Sequence, residues 1–440
     1  MDYSQPAVCL ALLQKLHPTD FRATHASLGR IVNGLLEASP APNQHLEVLE
    51  AARETLAFVQ GEMAHAYGIH PQPPARNQEG GALERVVSLW KAVARSYARI
   101  ADADAREGTL EDQRALLAQR RVFYEGLVLV EYYRAHLELP QGLWRAVHVA
   151  YNDAVRNGLA QVRVTDPLNE VWRAQSAQEA YVATLLAELA NPYGRGEREL
   201  NWVVRWAQRF APYCTLDTGI EGHKPSTYGI DTDGDSGLRP LGLLARTPTV
   251  LRFDGSGLAT QIQAVLAQFK RGVTPASLGL GNDCSASSSA RLLLSLYRPW
   301  GLAASGRRFP RRQKAGAIDF TGDWLAIGYA IKGELFQQPV GEQRARAFRD
   351  DISLLTFGER VATVDGSTSE SRRREAQAAD LGMECERWEL MDQSVGGFRL
   401  RRSGNGARLD HHQLVGIRPP DADQLLIADL SWLMYRTDGT

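Results

Sequence analysis

Lysine is nearly missing from this chain. Of its 50 basic residues only six are lysines, at positions 15, 91, 224, 270, 314 and 332, so that 44 are arginines. Net charge is lacking too: 50 basic against 51 acidic residues give a formal charge of -1. No global field recruits nucleic acid or a membrane surface, and any polyanion site has to be local. The cysteines Cys9, Cys214, Cys284 and Cys385 form no Cys-x-x-Cys pair, which excludes a zinc ribbon and a dense disulfide framework. No run approaches the ~18 apolar residues of a spanning helix. Residues 8–13 are apolar, but they follow no basic segment and precede no small-residue cleavage site, so the N-terminus does not read as a signal peptide. The expectation is a cytoplasmic protein without a membrane span.

Catalytic signatures are equally scarce. Gly279-Leu280-Gly281 lacks the continuation of a dinucleotide fingerprint, and the serines of 285–289 sit in no Gly-x-Ser-x-Gly elbow. Asp231, Asp233 and Asp235 begin like a calcium loop, but the sixth position is Ser236 and the twelfth Gly242, where that loop needs glycine and a bidentate glutamate. A solvated turn is the simpler reading. His136 and His148 are too far apart for a helical metal pair, and His411-His412 would point to opposite faces of a strand. The sequence gives no reason to expect an enzyme, a metal or a cofactor.

What is present is an ordinary globular composition, 44% hydrophobic and 23% charged over 440 residues, enough for two to four domains. Residues 1–212 carry a helical period. Leu83, Val86, Val87, Trp90, Val93, Tyr97 and Ile100 recur at steps of mostly three and four and share one face. Segments 46–67, 116–139 and 143–155 read the same way. Thr109 with Asp112 and Ser176 with Glu179 resemble capping boxes, and Pro140 suits a first helical turn. Pro71, Pro73, Pro74 and Gly80-Gly81 mark a loop. Long helices with short loops predict an antiparallel bundle, with Phe123, Tyr124, Tyr132, Tyr133 and Trp144 in its core. Residues 213–299 form a mixed connecting region with short strands and helices. Residues 300–440 read as strands, interrupted by a charged, helical-looking insert at about 334–385.

Two clusters in that last part carry chemistry. Arg307-Arg308-Phe309-Pro310-Arg311-Arg312-Gln313-Lys314 holds five positive charges and no acid, and a strand-like run follows at 317–320. Proline and crowded like charges disfavour a helix, so the arginines should extend from a loop leading into the strand. An arginine fork pairs two phosphate oxygens or the O6/N7 edge of guanine, and stacks on a base. The bland alternative is a solvated basic loop. The second cluster, residues 388–400, alternates on both sides of Asp392-Gln393-Ser394-Val395-Gly396-Gly397 and reads as strand, tight turn, strand. An aspartate accepts guanine N1–H and N2–H, a serine hydroxyl adds a bond, and glycine lets the backbone turn. An ordinary hairpin is the alternative here.

Taken together, the clusters resemble the PilZ domain, a small β-barrel that serves bacteria as a receptor for cyclic di-GMP. That family carries Arg-x-x-x-Arg before its first strand and (Asp/Asn)-x-Ser-x-x-Gly on a following hairpin. Here the first motif occurs in two overlapping registers, Arg307 with Arg311 and Arg308 with Arg312, and the second is Asp392, Ser394 and Gly397. The resemblance covers about residues 300–440. It implies that the arginines grip guanine and phosphate while Asp392 and Ser394 hold a guanine edge. Further strands are expected at 414–418 and 425–434. A missing barrel strand would be made good by self-association through 425–434 or by a covering segment from 213–253. The helical half carries no comparable resemblance.

The fold expected is therefore α+β and multidomain: an N-terminal α-helical bundle followed by a C-terminal PilZ-like antiparallel β-barrel with a helical insert. The function expected is a non-enzymatic cyclic di-GMP receptor that alters the meeting of its helical region with an unidentified protein partner, without nucleic acid. The rival reading is a helical scaffold whose degenerate barrel binds no nucleotide.

Overall fold

In the first part of the chain the helical period becomes, among the described residues, eight α-helices: α1 (Pro6–Gln14), α2 (Phe21–Ala38), α3 (Pro42–Gly68), α4 (Ala82–Glu107), α5 (Arg114–Arg134), α6 (Leu143–Arg156), α7 (Ala177–Leu189) and α8 (Glu197–Phe210). A two-stranded ribbon, β1 (Val164–Thr165) with β2 (Ala174–Gln175), lies between α6 and α7. The computed structural model describes residues 2–69, 81–302, 311–335, 381–402, 404, 406, 409–420, 422 and 424–436. The proline-rich loop expected near 71–80 lies outside these residues.

The expected stripe of α4 is buried at Val86, Val87, Trp90, Val93, Tyr97 and Ile100, while Leu83 packs against the core from its edge. Tyr124, Tyr133 and Trp144 are core residues, and Phe123 and Tyr132 are partly buried against them. Burial of these rings, together with the many aliphatic side chains around them, drives the helices to associate.

Helix ends show where local reading holds and where it fails. Ser176 and Glu179 form a complete capping box at α7. Thr109 and Asp112 form none. Asp104, at the end of α4, instead accepts the Leu110 amide at 2.6 Å and pairs Arg114 at 2.8 Å. Pro140 precedes α6, whose N-terminus is closed from a distance by Asp235. That carboxylate accepts the amides of Gly142 at 2.6 Å and Arg145 at 3.0 Å. The aspartate-rich loop thus includes a helix cap, and no cluster of three or more metal-ligating side chains occurs among the described residues.

A four-stranded antiparallel sheet in the order β3-β6-β4-β5 follows, built from β3 (Thr215–Asp217), β4 (Tyr228–Asp231), β5 (Arg239–Pro240) and β6 (Val250–Asp254). Helices α9 (Ser256–Phe269) and α10 (Ala286–Leu296) come next. Ile230, Phe253, Leu258, Ile262, Leu293 and Trp300 share one hydrophobic core with Trp206 and Phe210 of α8. The segment 213–300 is thus packed into the helical body.

The chain divides into two compact units: Met1–Gly306 with Trp432–Gly439, and Arg307–Ser431. The second unit is an antiparallel sheet in the order β11-β10-β7-β8-β9, curled into a half-barrel. Its strands are β7 (Arg312–Thr321), β8 (Glu386–Ser394), β9 (Gly397–Arg401), β10 (Leu414–Arg418) and β11 (Leu426–Asp429), with α11 (Trp324–Lys332) between β7 and β8. Ile318, Phe320, Trp388, Leu409, Val415 and Ile417 form its core, where the Phe320 and Trp388 rings stack at 4.2 Å.

Several expectations shift here. β7 begins at Arg312, five residues before the expected run, because Arg312 and Gln313 already pair Gln393 and Asp392 of β8. The last strand stops at Asp429, and Trp432 onward joins the first unit. The strands of 213–254 pair with one another in their own sheet, so they do not extend the half-barrel. The helical segments expected at 343–351 and 371–380 lie outside the described residues. No helix among the described residues is long and apolar enough to cross a membrane.

Candidate functional site

The second motif sits on the β8–β9 hairpin. Ser394 pairs Gly397 across the two-residue turn Val395-Gly396. Gly397 has φ +151°, a conformation that side chains rarely adopt, while the space for a Cβ is open. Glycine is therefore required there by the backbone, not by packing. The Ser394 hydroxyl accepts the Gly396 amide at 3.3 Å and donates to the Gly397 carbonyl at 3.4 Å. Two residues of the motif thus build the turn.

Asp392 is placed by an irregularity. Trp388 lies in the half-barrel core and Leu390, two residues on, is buried, and simple alternation would send Asp392 inward after them. The register shifts between Leu390 and Asp392: Leu390 opposes Leu400, but Asp392 opposes Arg399. Met391 is the extra residue of a β-bulge, which re-aims the side chains beyond it. Asp392 consequently shares the outer face with Arg399, Arg401 and Glu389.

The first motif comes to the same place. Gln313 lies directly opposite Asp392, and Arg311, two residues earlier, donates through Nη1 to Asp392 Oδ1. Arg399 Nη1 stands 4.0 Å from the other carboxylate oxygen. Asp392 is mostly covered, its side chain 17% exposed, whereas Arg311 and Arg399 keep 31% and 49%. Residues 81 apart in sequence, across the insert, thus form one charged cluster. Arg312 opposes Gln393, which places it on the other face of the sheet from Asp392. Arg307 and Arg308 lie outside the described residues.

Register extends this face. Asp319 is shared by Arg387 at 3.3 Å and Arg418 at 2.7 Å, and Arg401 donates to Glu389 at 2.8 Å. With Arg311 and Arg399, the described residues of this face carry five guanidiniums against the four carboxylates Asp319, Glu389, Asp392 and Asp429, the last placed there by its pairing with Leu414. The excess is cationic and planar, suited to a ligand with both phosphates and aromatic bases. Arg399 escaped the sequence reading. Its position opposite Asp392 depends on the Met391 bulge, which no local pattern announces.

The helical unit holds a different polar cluster. Arg53 bonds Asp166 at 3.0 Å and Tyr124 at 3.1 Å. Arg120 bonds Glu50 at 3.0 Å and lies 3.2 Å from Asp166, and Tyr97 donates to Glu50 at 2.7 Å. Burial pushes the Glu50 carboxyl up, but Arg120 and Arg53 outweigh it and hold the group below its ordinary value. Two guanidiniums against two carboxylates leave this network neutral and internally satisfied, so it reads as a specifier of helix packing.

Comparison with known families bears on this same helical unit. Residues 7–222 match the family of the cyclic-di-GMP receptor FimW, N-terminal domain. Over its first half the chain is therefore similar to a family of cyclic-di-GMP receptors. The match runs from α1 into the segment after β3, whereas the resemblance in the sequence lay on the C-terminal third. No curated protein and no solved structure matches the chain.

Proposed function

We propose that this protein is a non-enzymatic, cytoplasmic receptor of cyclic di-GMP that binds the dinucleotide on the outer face of a PilZ-type half-barrel. The observation that carries the reading is the meeting of Arg311, just before β7, with Asp392 on β8. The similarity of the helical half to a cyclic-di-GMP receptor family supports the same ligand independently. In this reading Arg311, with Arg307 of the same register, grips phosphate and the O6/N7 edge of guanine. Asp392 accepts guanine N1–H and N2–H, and Ser394 and Gly397 set the hairpin that presents it. Arg308 serves phosphate from the second register, whose Arg312 lies on the other face of the sheet, and Arg399 adds a cation beside Asp392. Occupancy alters how the helical unit meets a protein partner.

A second reading is a helical scaffold whose half-barrel binds nothing. Its support is that Arg311 is already neutralised by Asp392 and that the Ser394 hydroxyl is engaged in the turn. Calorimetric titration with cyclic di-GMP, GTP and cyclic di-AMP separates the two. The receptor gives saturable heat with the first alone, because adenine presents a donor where guanine presents O6. The scaffold gives none.

A further inference from the structure

The end of the chain is seated in the helical unit by a regular set of bonds. The Leu433 amide donates to the Tyr193 carbonyl at 2.9 Å, and the Leu433 carbonyl lies 3.0 Å from His136 Nδ1. A carbonyl only accepts, so His136 carries its proton on Nδ1. The Tyr435 amide donates to the His136 carbonyl at 2.7 Å, and the Glu138 amide donates to the Tyr435 carbonyl at 2.8 Å. Arg436 Nε then reaches the Glu138 carboxylate at 3.1 Å. Leu433 and Tyr435, two residues apart, both present their amides and carbonyls to the seat, and Leu137 pairs Tyr435 as a parallel bridge. This is strand addition onto a seat with no sheet of its own.

The seat is built for such an occupant. His136 takes φ +54° without being glycine and is 1% exposed, a conformation that costs free energy and turns its carbonyl toward the tail. Tyr193 is fixed by its hydroxyl on the Leu137 carbonyl at 2.9 Å and by edge contact with Tyr133. Residues 432–436 are by contrast only half-buried. Loss of this segment would strand the polar groups of the seat, so an emptied seat favours another extended segment in its place.

The segment is also tied on its N-terminal side. Leu430 donates its amide to Gln413 and accepts from His412, and the chain passes from one unit to the other between Ser431 and Trp432.

We propose that residues 432–436 are a releasable strap: a cis-bound ligand of an extended-peptide groove formed by His136–Glu138 and Tyr193. This stands apart from the nucleotide reading. A segment held in cis has an effective concentration of order millimolar, so it excludes a competitor until it is released.

The test uses a labelled peptide of residues 430–437, titrated by fluorescence anisotropy against the full chain and against a full-length Leu433→Pro, Tyr435→Pro variant. Proline removes both amide donors of the strap. The variant should bind the peptide at least tenfold more tightly than the wild type, and a peptide carrying the same two prolines should not bind. Equal binding by both proteins, or none by a folded variant, overturns the proposal. Hydrogen exchange of the wild type decides the matter if the variant fails to fold. The Leu433, Tyr435 and Glu138 amides should be protected, yet exchange at least tenfold faster than that of Val128 in α5. No protection, or protection equal to that of Val128, also overturns it.

Discussion

Arg311 and Asp392 form an ion pair across 81 residues of sequence, and the pairing of β7 with β8 is what closes that distance. The same two side chains are the ones whose chemistry fits guanine and phosphate, so in the free protein they neutralise each other. A dinucleotide that engages both has to replace this pair with bonds of its own.

The pairing distinguishes the two arginine registers. Losing a charge-assisted bond costs roughly 1.5–3 kcal/mol, about ten- to a hundredfold in affinity. Arg311→Ala and Asp392→Ala should each weaken cyclic di-GMP binding by that factor while leaving the thermal midpoint nearly unchanged. Arg312→Ala, on the opposite face, should weaken it less than either. Calorimetry on the three variants checks the order.

Arg399 should behave as part of the site. Arg399→Ala removes a cation 4.0 Å from Asp392 and should lower affinity severalfold. Arg399→Lys, which keeps the charge but not the fork, should recover only part of it.

Acid sensitivity should come partly from buried histidines of the helical unit. Burial, with Arg99 nearby, holds His45 at about 4 against an ordinary 6.5, and its Nε2 has no hydrogen-bond partner. The folded state therefore keeps it neutral while the unfolded chain takes up a proton below pH 6.5. Stability is full above that value and falls as pH drops from 6.5 toward 4, by roughly 3 kcal/mol for this group. Burial also lowers His25 and His148, and they act in the same sense. Thermal unfolding of His45→Gln should show a shallower decline across that window. An unchanged slope assigns the acid limb to other groups.

Much of the fold was legible because helical periodicity is local. The Leu83 to Ile100 stripe is α4, Ser176 with Glu179 caps α7, and Asp392 to Gly397 is a strand and a hairpin turn. The missed features depend on partners far along the chain. Asp235 caps α6 from 93 residues away, and His136 meets Leu433 across 297. The run 425–434 reads as one strand by composition, yet only Leu426–Asp429 has a neighbouring strand; Leu430 donates to Gln413, and Leu433 finds its acceptor in the helical unit. The outward turn of Asp392 hangs on the single extra residue Met391, which period-two reading cannot register.

The most direct test of the receptor reading is calorimetric titration of the full chain with cyclic di-GMP, run beside Arg311→Ala and Asp392→Ala. The account predicts a saturable isotherm in the micromolar range or tighter for the wild type, weakened about ten- to a hundredfold in each variant. Neither heat nor a thermal shift with the wild type at ~100 μM ligand, a concentration well above that affinity, would contradict it and leave the scaffold reading in its place.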